Sequence, residues 1–138
     1  MRLIAAAVLL VTDNTFSCQA PPTDPVVTVC PGDAVSVHVA TSQTPWYTWS
    51  PACGVALLTV FEESGGGVVW TVYSRNSAAD NPISSGVRYG RTPMNASTLD
   101  GPAGLQSGVA YQVQVSRMIC DRGEPCRLVP AGEARFQL

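Results

Sequence analysis

The chain of 138 residues has no lysine, one histidine and few charged side chains of either sign. All eight basic residues are arginines, and with ten acidic residues the formal net charge is −2. This balance provides no basic surface for nucleic acid, so we expect no nucleic-acid partner. The single histidine, His38, alternates with valines and is expected to face solvent, which leaves no base for a hydrolytic triad.

Long hydrophobic runs and catalytic motifs are also missing. The N-terminal apolar run covers nine residues, 3–11, whereas a membrane-spanning helix needs about 20. No nucleophile elbow, phosphate-binding loop or zinc-protease motif occurs. Glu62 and Glu63 come at the end of a predicted strand, where the side chains of neighbouring residues point to opposite faces. The sequence therefore predicts a protein that is not an enzyme and that has no cofactor and no metal site.

The first residues are typical of a secretory signal peptide. Arg2 precedes the apolar run, and polar residues follow it from Thr12. We predict a signal peptide over residues 1–17 and hence an extracytoplasmic protein. The alternative is that this run is a first strand or a short buried helix of the domain.

The segment Thr15-Phe16-Ser17-Cys18 resembles a bacterial lipobox, although Thr15 and Phe16 differ from its usual residues. The resemblance implies that Cys18 carries the lipid and becomes the new N-terminus, anchored in a cell membrane or outer membrane. The alternative is ordinary cleavage near Ser17 or Ala20, which would release a secreted protein. Residues 18–25 contain three prolines and are predicted to form an extended tether.

The chain has five cysteines, and acylation of Cys18 accounts for the odd one. The other four, Cys30, Cys53, Cys120 and Cys126, allow three disulfide connectivities. A Gly- and Pro-containing turn lies between Cys120 and Cys126, where the last two strands should join, so this local bridge together with Cys30–Cys53 is preferred. Disulfides indicate an oxidising compartment, and five intervening residues do not fit the ligand spacing of a zinc site.

From residue 26 onward, β-branched and aromatic residues alternate between two faces, and turn residues separate the segments. Strands are predicted over residues 26–30, 34–39, 44–49, 54–62, 68–73, 87–89, 110–118 and 134–138, with loops over 63–67 and 92–104. About seven to nine short strands predict an all-β fold, an antiparallel β-sandwich over residues 26–138.

Three segments, residues 45–51, 55–60 and 105–115, resemble the second, third and sixth strands of a fibronectin type III-like or Ig-like β-sandwich domain. The resemblance implies a buried Trp49 on the second strand. It also implies a tyrosine corner at Leu105, Gly108 and Tyr111, in which the tyrosine hydroxyl bonds backbone near residues 105–108. Ser107 stands where the family usually has proline. On the sixth strand the side chains expected to face the core are Tyr111, Val113 and Val115, and those expected to face water are Gln112, Gln114 and Ser116.

Two places are candidates for binding a partner. The first is the mixed-charge loop formed by Asp121, Arg122, Glu124 and Arg127, for which the alternative is a solubilising turn. The second is Trp46, which lies on the opposite face from Trp49 if that strand is regular. An exposed indole could stack on a sugar ring, whereas the alternative is that Trp46 packs under a neighbouring strand or the N-terminal segment.

These features favour a non-enzymatic, secreted or lipid-anchored envelope protein whose β-sandwich serves binding or adhesion. Its expected partners are the membrane, through the lipid anchor, and an unknown protein or envelope glycan. One alternative is a structural or assembly subunit of a surface complex or filament, in which edge strands pair between copies. The other is a carbohydrate-binding module.

Overall fold

The computed structural model describes residues 30–75 and 78–138. The predicted signal peptide, Cys18, the tether and residues 26–29 of the first predicted strand lie outside these ranges. The described chain forms eight strands and one short 3-10 turn, Ala78–Asp80. The strands are β1 (Ser36–Ala40), β2 (Trp46–Ser50), β3 (Leu57–Glu62), β4 (Val68–Ser74), β5 (Val87–Arg88), β6 (Ala96–Asp100), β7 (Ala110–Ile119) and β8 (Arg127–Gln137).

The strands form two antiparallel sheets, which confirms the predicted all-β sandwich. One sheet has three strands in the order β1-β2-β5, and the other has five in the order β6-β4-β3-β7-β8. Ser36 pairs with Ser50 at one end of the β1–β2 ladder, and Ala40 pairs with Trp46 at the other. The β3–β4 connection lies in the predicted loop at residues 63–67, where the Glu62 and Gly67 backbones are hydrogen-bonded.

Alternating side chains from both sheets fill the space between them. Tyr47 and Trp49 alternate with exposed neighbours along β2, as a half-buried strand requires. Trp49 is 3% exposed, and its indole Nε1 donates to the Cys53 carbonyl at 2.6 Å, so this polar atom is satisfied inside the core. Fully buried side chains of this core include Tyr47, Val55, Leu58, Val60, Trp70, Val72, Ile83, Tyr111, Val113 and Val115. Each of the aliphatic side chains among them stabilises the fold by about 1.5–3 kcal/mol relative to its exposed state.

A backbone hydrogen bond joins the two sheets along one edge of the sandwich. The Val35 N–H donates to the Ala131 carbonyl at 2.8 Å. Gly132 lies beside this bond, and a Cβ there would collide with the Val35 carbonyl oxygen, so glycine allows β1 and β8 to approach.

Three sequence predictions are wrong in detail. Residues 92–104 are not only a loop, because β6 lies within them and pairs with β4. The last strand begins at Arg127 rather than Ala134, since an edge strand with a bulge accommodates Pro130. Ser116 is buried rather than solvent-facing, at the point where the β7–β8 register shifts because β8 has an extra residue, Ala131.

The other predicted strands between residues 34 and 118 are present, with boundaries shifted by at most three residues. Residues 110–119, compared above with a sixth strand, form the seventh strand in chain order because β6 precedes them. Cys30 lies outside any strand. None of the helical structure in residues 30–75 and 78–138 is long and apolar enough to cross a membrane.

Candidate functional site

The two ends of the sandwich differ in what they carry. β1 begins near the cysteines and ends next to Trp46, and β2 returns from Trp46 towards Cys53. We call the end that carries Cys30, Cys53, Cys120 and Cys126 the disulfide end, and the opposite end the Trp46 end. Residues 1–29 join the described chain at Cys30, so the predicted anchor is connected through the disulfide end.

The four cysteines form the two disulfides that the sequence analysis preferred. Cys30 is bridged to Cys53 with a Cα–Cα distance of 4.8 Å, and Cys120 to Cys126 with one of 4.1 Å. Cys53 is buried with Trp49, whereas the Cys120–Cys126 bridge is exposed on the β7–β8 hairpin. Two disulfides in one small domain indicate an oxidising, extracytoplasmic environment.

A cavity of about 670 Å³ lies at the disulfide end, between Cys30, Asn81 and Arg117. Asn81 closes one wall, because its Oδ1 accepts from the Met118 N–H at 2.7 Å and its Nδ2 donates to the Met118 carbonyl at 3.0 Å. Arg117 donates from Nη1 to the Gly32 carbonyl at 2.9 Å.

The predicted binding loop also lies at the disulfide end. Arg127 and Asp121 form an ion pair at 3.2 Å, which neutralises two of the four charges of this loop. The Glu124 N–H donates to the Asp121 carbonyl at 3.1 Å and closes the turn. Arg122 and Glu124 are exposed. The structure thus brings the four residues together around one cross-linked turn, at the end where residues 1–29 join the described chain.

The predicted tyrosine corner is present as a hydrogen bond. The Gln106 N–H donates to Tyr111 Oη at 2.8 Å, and the Tyr111 side chain is 2% exposed. Leu105 packs against the core, and Gly108 has φ of 82°, a conformation that favours glycine. These three residues hold the segment before β7, so their role is structural.

Trp46 is exposed on the outer face of the three-stranded sheet. This agrees with the sequence prediction that its side chain points to the opposite face of β2 from that of Trp49. Its side chain is 40% exposed, whereas Trp49 and Trp70 are buried. Arg88 is its cross-strand partner, and the guanidinium carbon lies 5.0 Å from the indole centroid. Gly86 lies beside the same ring, since a Cβ on that residue would be 3.6 Å from Trp46 Nε1. The indole is therefore held between a backbone turn and a stacked arginine.

Two open depressions flank this pair. The first, of about 550 Å³, is lined by Trp46, Arg88 and the β1–β2 turn, including Gln43 and Thr44. The second, of about 310 Å³, is lined by Trp46, Arg88 and Arg91 with neighbouring residues of the turn after β5. In residues 30–75 and 78–138, no carboxylate forms an ion pair with Arg88 or Arg91. The Trp46 end thus combines an exposed aromatic ring with two uncompensated cations.

Sequence reasoning singled out Trp46 but missed Arg88 and Arg91. The alternation of Val87, Arg88 and Tyr89 is a signal that would place Arg88 on the outer face, since the two flanking residues are buried. The contact itself depends on the register between β2 and β5, two segments about forty residues apart, which no local pattern specifies.

Two tyrosines of the core, Tyr47 and Tyr89, have raised pKa values. Burial, with a smaller effect of Tyr111, raises the pKa of Tyr89 to about 12. Tyr89 Oη donates to the Ala103 carbonyl at 2.6 Å. Burial, with a smaller effect of Tyr89, also raises the pKa of Tyr47 well above its usual range. Both phenols therefore stay neutral and help to pack the sandwich.

The polar residues considered for catalysis do not form a common site. His38 is exposed and pairs with Thr48 across the outer face of the three-stranded sheet. Glu63 forms an ion pair with Arg135 at 2.7 Å, and Glu62 accepts a hydrogen bond from Ser64 at 2.6 Å. Across the described part of the chain, no group of three or more His, Cys, Asp or Glu side chains is placed to hold a metal ion.

Comparisons of the chain with protein-family models, with curated proteins and with solved structures gave no match.

Proposed function

We propose that the protein is a non-enzymatic, extracytoplasmic binding protein, anchored to a membrane through lipid on Cys18, whose fibronectin type III-like or Ig-like sandwich binds an envelope component through its Trp46 end. The observation that carries this proposal is the exposed Trp46 ring, which is stacked with Arg88 and borders two open depressions. Large exposed aromatic side chains with adjacent arginines are enriched where proteins bind partners.

The position of the anchor supports the same surface. The proposed tether joins the domain at Cys30, which lies at the disulfide end. The opposite end, which carries Trp46, is therefore the end remote from the membrane in this proposal. The charged β7–β8 loop lies on the membrane side, and its Asp121–Arg127 pair already satisfies half of its charges. A binding surface remote from the anchor is accessible to envelope polymers and to other surface proteins.

The test measures retention of the full chain by envelope material from the cells that produce it. Protein carrying Cys18→Ser, which prevents acylation, is mixed with the washed envelope fraction and sedimented. We expect it to sediment with the envelope and to remain in the supernatant after the additional change Trp46→Ala. Arg122→Ala provides the matched control at the disulfide end. Loss of retention with Arg122→Ala but not with Trp46→Ala would overturn the proposed surface.

Metabolic labelling with a fatty acid tests the anchor separately. The unsubstituted chain should incorporate label and fractionate with membranes, and Cys18→Ser should abolish both. An unlabelled protein whose release does not change with Cys18→Ser would overturn lipid anchoring and leave a secreted binding protein.

A second candidate function, assembly through an edge strand, is favoured by β6. This five-residue strand pairs with β4 and forms one edge of the larger sheet, and its Leu99 is 67% exposed. Exposed edge strands can pair with a strand from another copy. Light scattering of the full chain carrying Cys18→Ser would test this function, because a monomer at high concentration contradicts it and oligomers that dissociate with Leu99→Lys support it.

A further inference from the structure

The chemistry of the Trp46 end selects a class of ligand. Arg88 and Arg91 line the same depression beside Trp46, and both side chains are exposed. The Arg91 N–H donates to the Arg88 carbonyl at 3.1 Å, so a backbone turn fixes the spacing of the two residues. Two cations that line one depression, with no carboxylate partner among residues 30–75 and 78–138, repel one another, and this repulsion is relieved when an anion binds.

Stacking on Trp46 orients the Arg88 guanidinium for binding an oxyanion. A guanidinium on an aromatic face gains cation–π attraction, and its planar N–H groups stay free to bind a carboxylate through two parallel hydrogen bonds. Because the stacked side chain has fewer accessible rotamers in the free protein, less conformational entropy is lost on binding. Trp46 thus contributes contact area and also orients the cation.

The rest of the lining indicates a sugar chain rather than a compact anion. A second depression beside the same indole is lined by Gln43 and Thr44, whose amide and hydroxyl groups suit sugar hydroxyls. Two shallow depressions that share one aromatic wall accommodate consecutive units of a polymer. An indole with polar groups around it matches a sugar ring, which has apolar C–H faces and polar edges.

From this arrangement we infer that the Trp46 end binds an acidic polysaccharide, with Arg88 and Arg91 binding the carboxylate groups of uronic acid units and Trp46 contacting a sugar ring. The inference rests on the proposed function and specifies the ligand class of the same surface. Polygalacturonate and alginate carry a carboxylate on each unit and hyaluronate carries one on every second unit, so these chains present regularly spaced anions to the two arginines.

The test measures binding of the full chain carrying Cys18→Ser to hexamers of galacturonate, alginate and hyaluronate by calorimetry at 50 mM NaCl. Methyl-esterified galacturonate hexamer is the matched ligand control, because it keeps the sugar backbone and lacks the charges. We expect at least one acidic hexamer to bind and the esterified hexamer to bind at least tenfold more weakly. Binding should also weaken as NaCl is raised, because the contacts are ionic.

The variants locate the binding. Arg88→Gln and Arg91→Gln should each weaken the acidic hexamer about tenfold or more, as expected for loss of a charge-assisted hydrogen bond. Arg122→Gln removes the same charge at the disulfide end and should leave binding within about twofold, since exposed distant charges are screened. Circular dichroism of each variant checks that the fold is retained.

The outcomes that overturn the inference are distinct from those that overturn the proposed function. Equal binding of the esterified hexamer, or no effect of Arg88→Gln and Arg91→Gln, refutes carboxylate recognition even if envelope retention still depends on Trp46. Absence of binding to all three acidic hexamers also refutes it. Binding to phosphatidylglycerol vesicles through both arginines, without binding to any hexamer, would replace the polysaccharide with a membrane surface.

Discussion

Removing the two disulfides should destabilise the domain by different amounts. The perturbations are the double substitutions Cys30→Ala with Cys53→Ala, and Cys120→Ala with Cys126→Ala. The first bridge joins residues 23 positions apart and the second residues 6 apart, so they close loops of different length in the unfolded chain. Loop-closure entropy gives about 3.5 kcal/mol for the first and about 2.3 kcal/mol for the second.

Burial increases this difference. Cys53 is 1% exposed and Cys30 is 9% exposed, and both belong to the core. Loss of their sulfur atoms leaves unfilled volume, which adds to the entropic cost. The Cys120–Cys126 bridge is exposed, so its loss carries no comparable packing penalty.

Urea unfolding followed by tryptophan fluorescence measures both free energies of unfolding. We expect the free energy of unfolding to fall by at least 1 kcal/mol more in the first double variant than in the second, because the first bridge closes a longer loop and is packed in the core. Partial reduction of the unsubstituted protein, followed by mass spectrometry, provides a second measurement if the first variant does not fold. The exposed bridge should be reduced first under native conditions. Equal reduction rates, or a larger loss for the second variant, would refute the reasoning.

Three further predictions, which use four substitutions, concern other parts of the fold. Gly101→Ala should lower the free energy of unfolding by about 3 kcal/mol, because Gly101 has φ of 69° and a Cβ there would collide with a β4 carbonyl oxygen. Gly108→Ala should lower it by only about 1 kcal/mol, because the space around Gly108 is open. Thermal unfolding measures both losses, and equal losses would contradict the steric argument. Tyr111→Phe should cost about 1 kcal/mol in urea unfolding, because it removes the acceptor of the Gln106 N–H, and an unchanged midpoint would show that this bond contributes nothing. Burial raises the pKa of Tyr89 from 10 to about 12, so the folded state holds the phenol proton more tightly than the unfolded state does. The resulting contribution to the free energy of unfolding is complete below pH 10 and is lost between pH 10 and about 12. Tyr89→Phe should remove that part of the alkaline decline, and identical pH profiles would contradict the assignment.

The strands that the sequence predicted well are those in which alternation and burial agree. β2 is the clearest case, because Tyr47 and Trp49 face the core while Trp46, Thr48 and Ser50 face solvent. Local pattern is sufficient there, since one face of the strand packs against the opposite sheet.

The errors arise where pairing with a distant strand decides the conformation. β6 has a polar composition and lies between Asn95 and Gly101, both at positive φ, so its sequence is typical of a loop, and pairing with β4 makes it a strand. β8 contains Pro130 and Gly132, which usually end a strand, yet an edge position and the approach of Val35 accommodate them.

The candidate site was predictable only in part for the same reason. The outward position of Trp46 follows from the period of β2. The stacking of Arg88 and the nearby position of Arg91 follow from the β2–β5 register and the turn after β5, which are properties of the folded chain. The anchor at Cys18 lies outside the described residues and stays a prediction.

The central claim, that the Trp46 end is the binding surface, is tested most directly by the indole N–H signals of the three tryptophans in a nitrogen-15 correlation spectrum. Trp46→Phe assigns its own signal by removing it. On addition of soluble polysaccharide released from the producing cell's envelope, the Trp46 signal should shift, and the signals of buried Trp49 and Trp70 should stay in place. An unmoved Trp46 signal, with shifts confined to backbone amides of residues 121–127, would contradict the account and assign binding to the disulfide end.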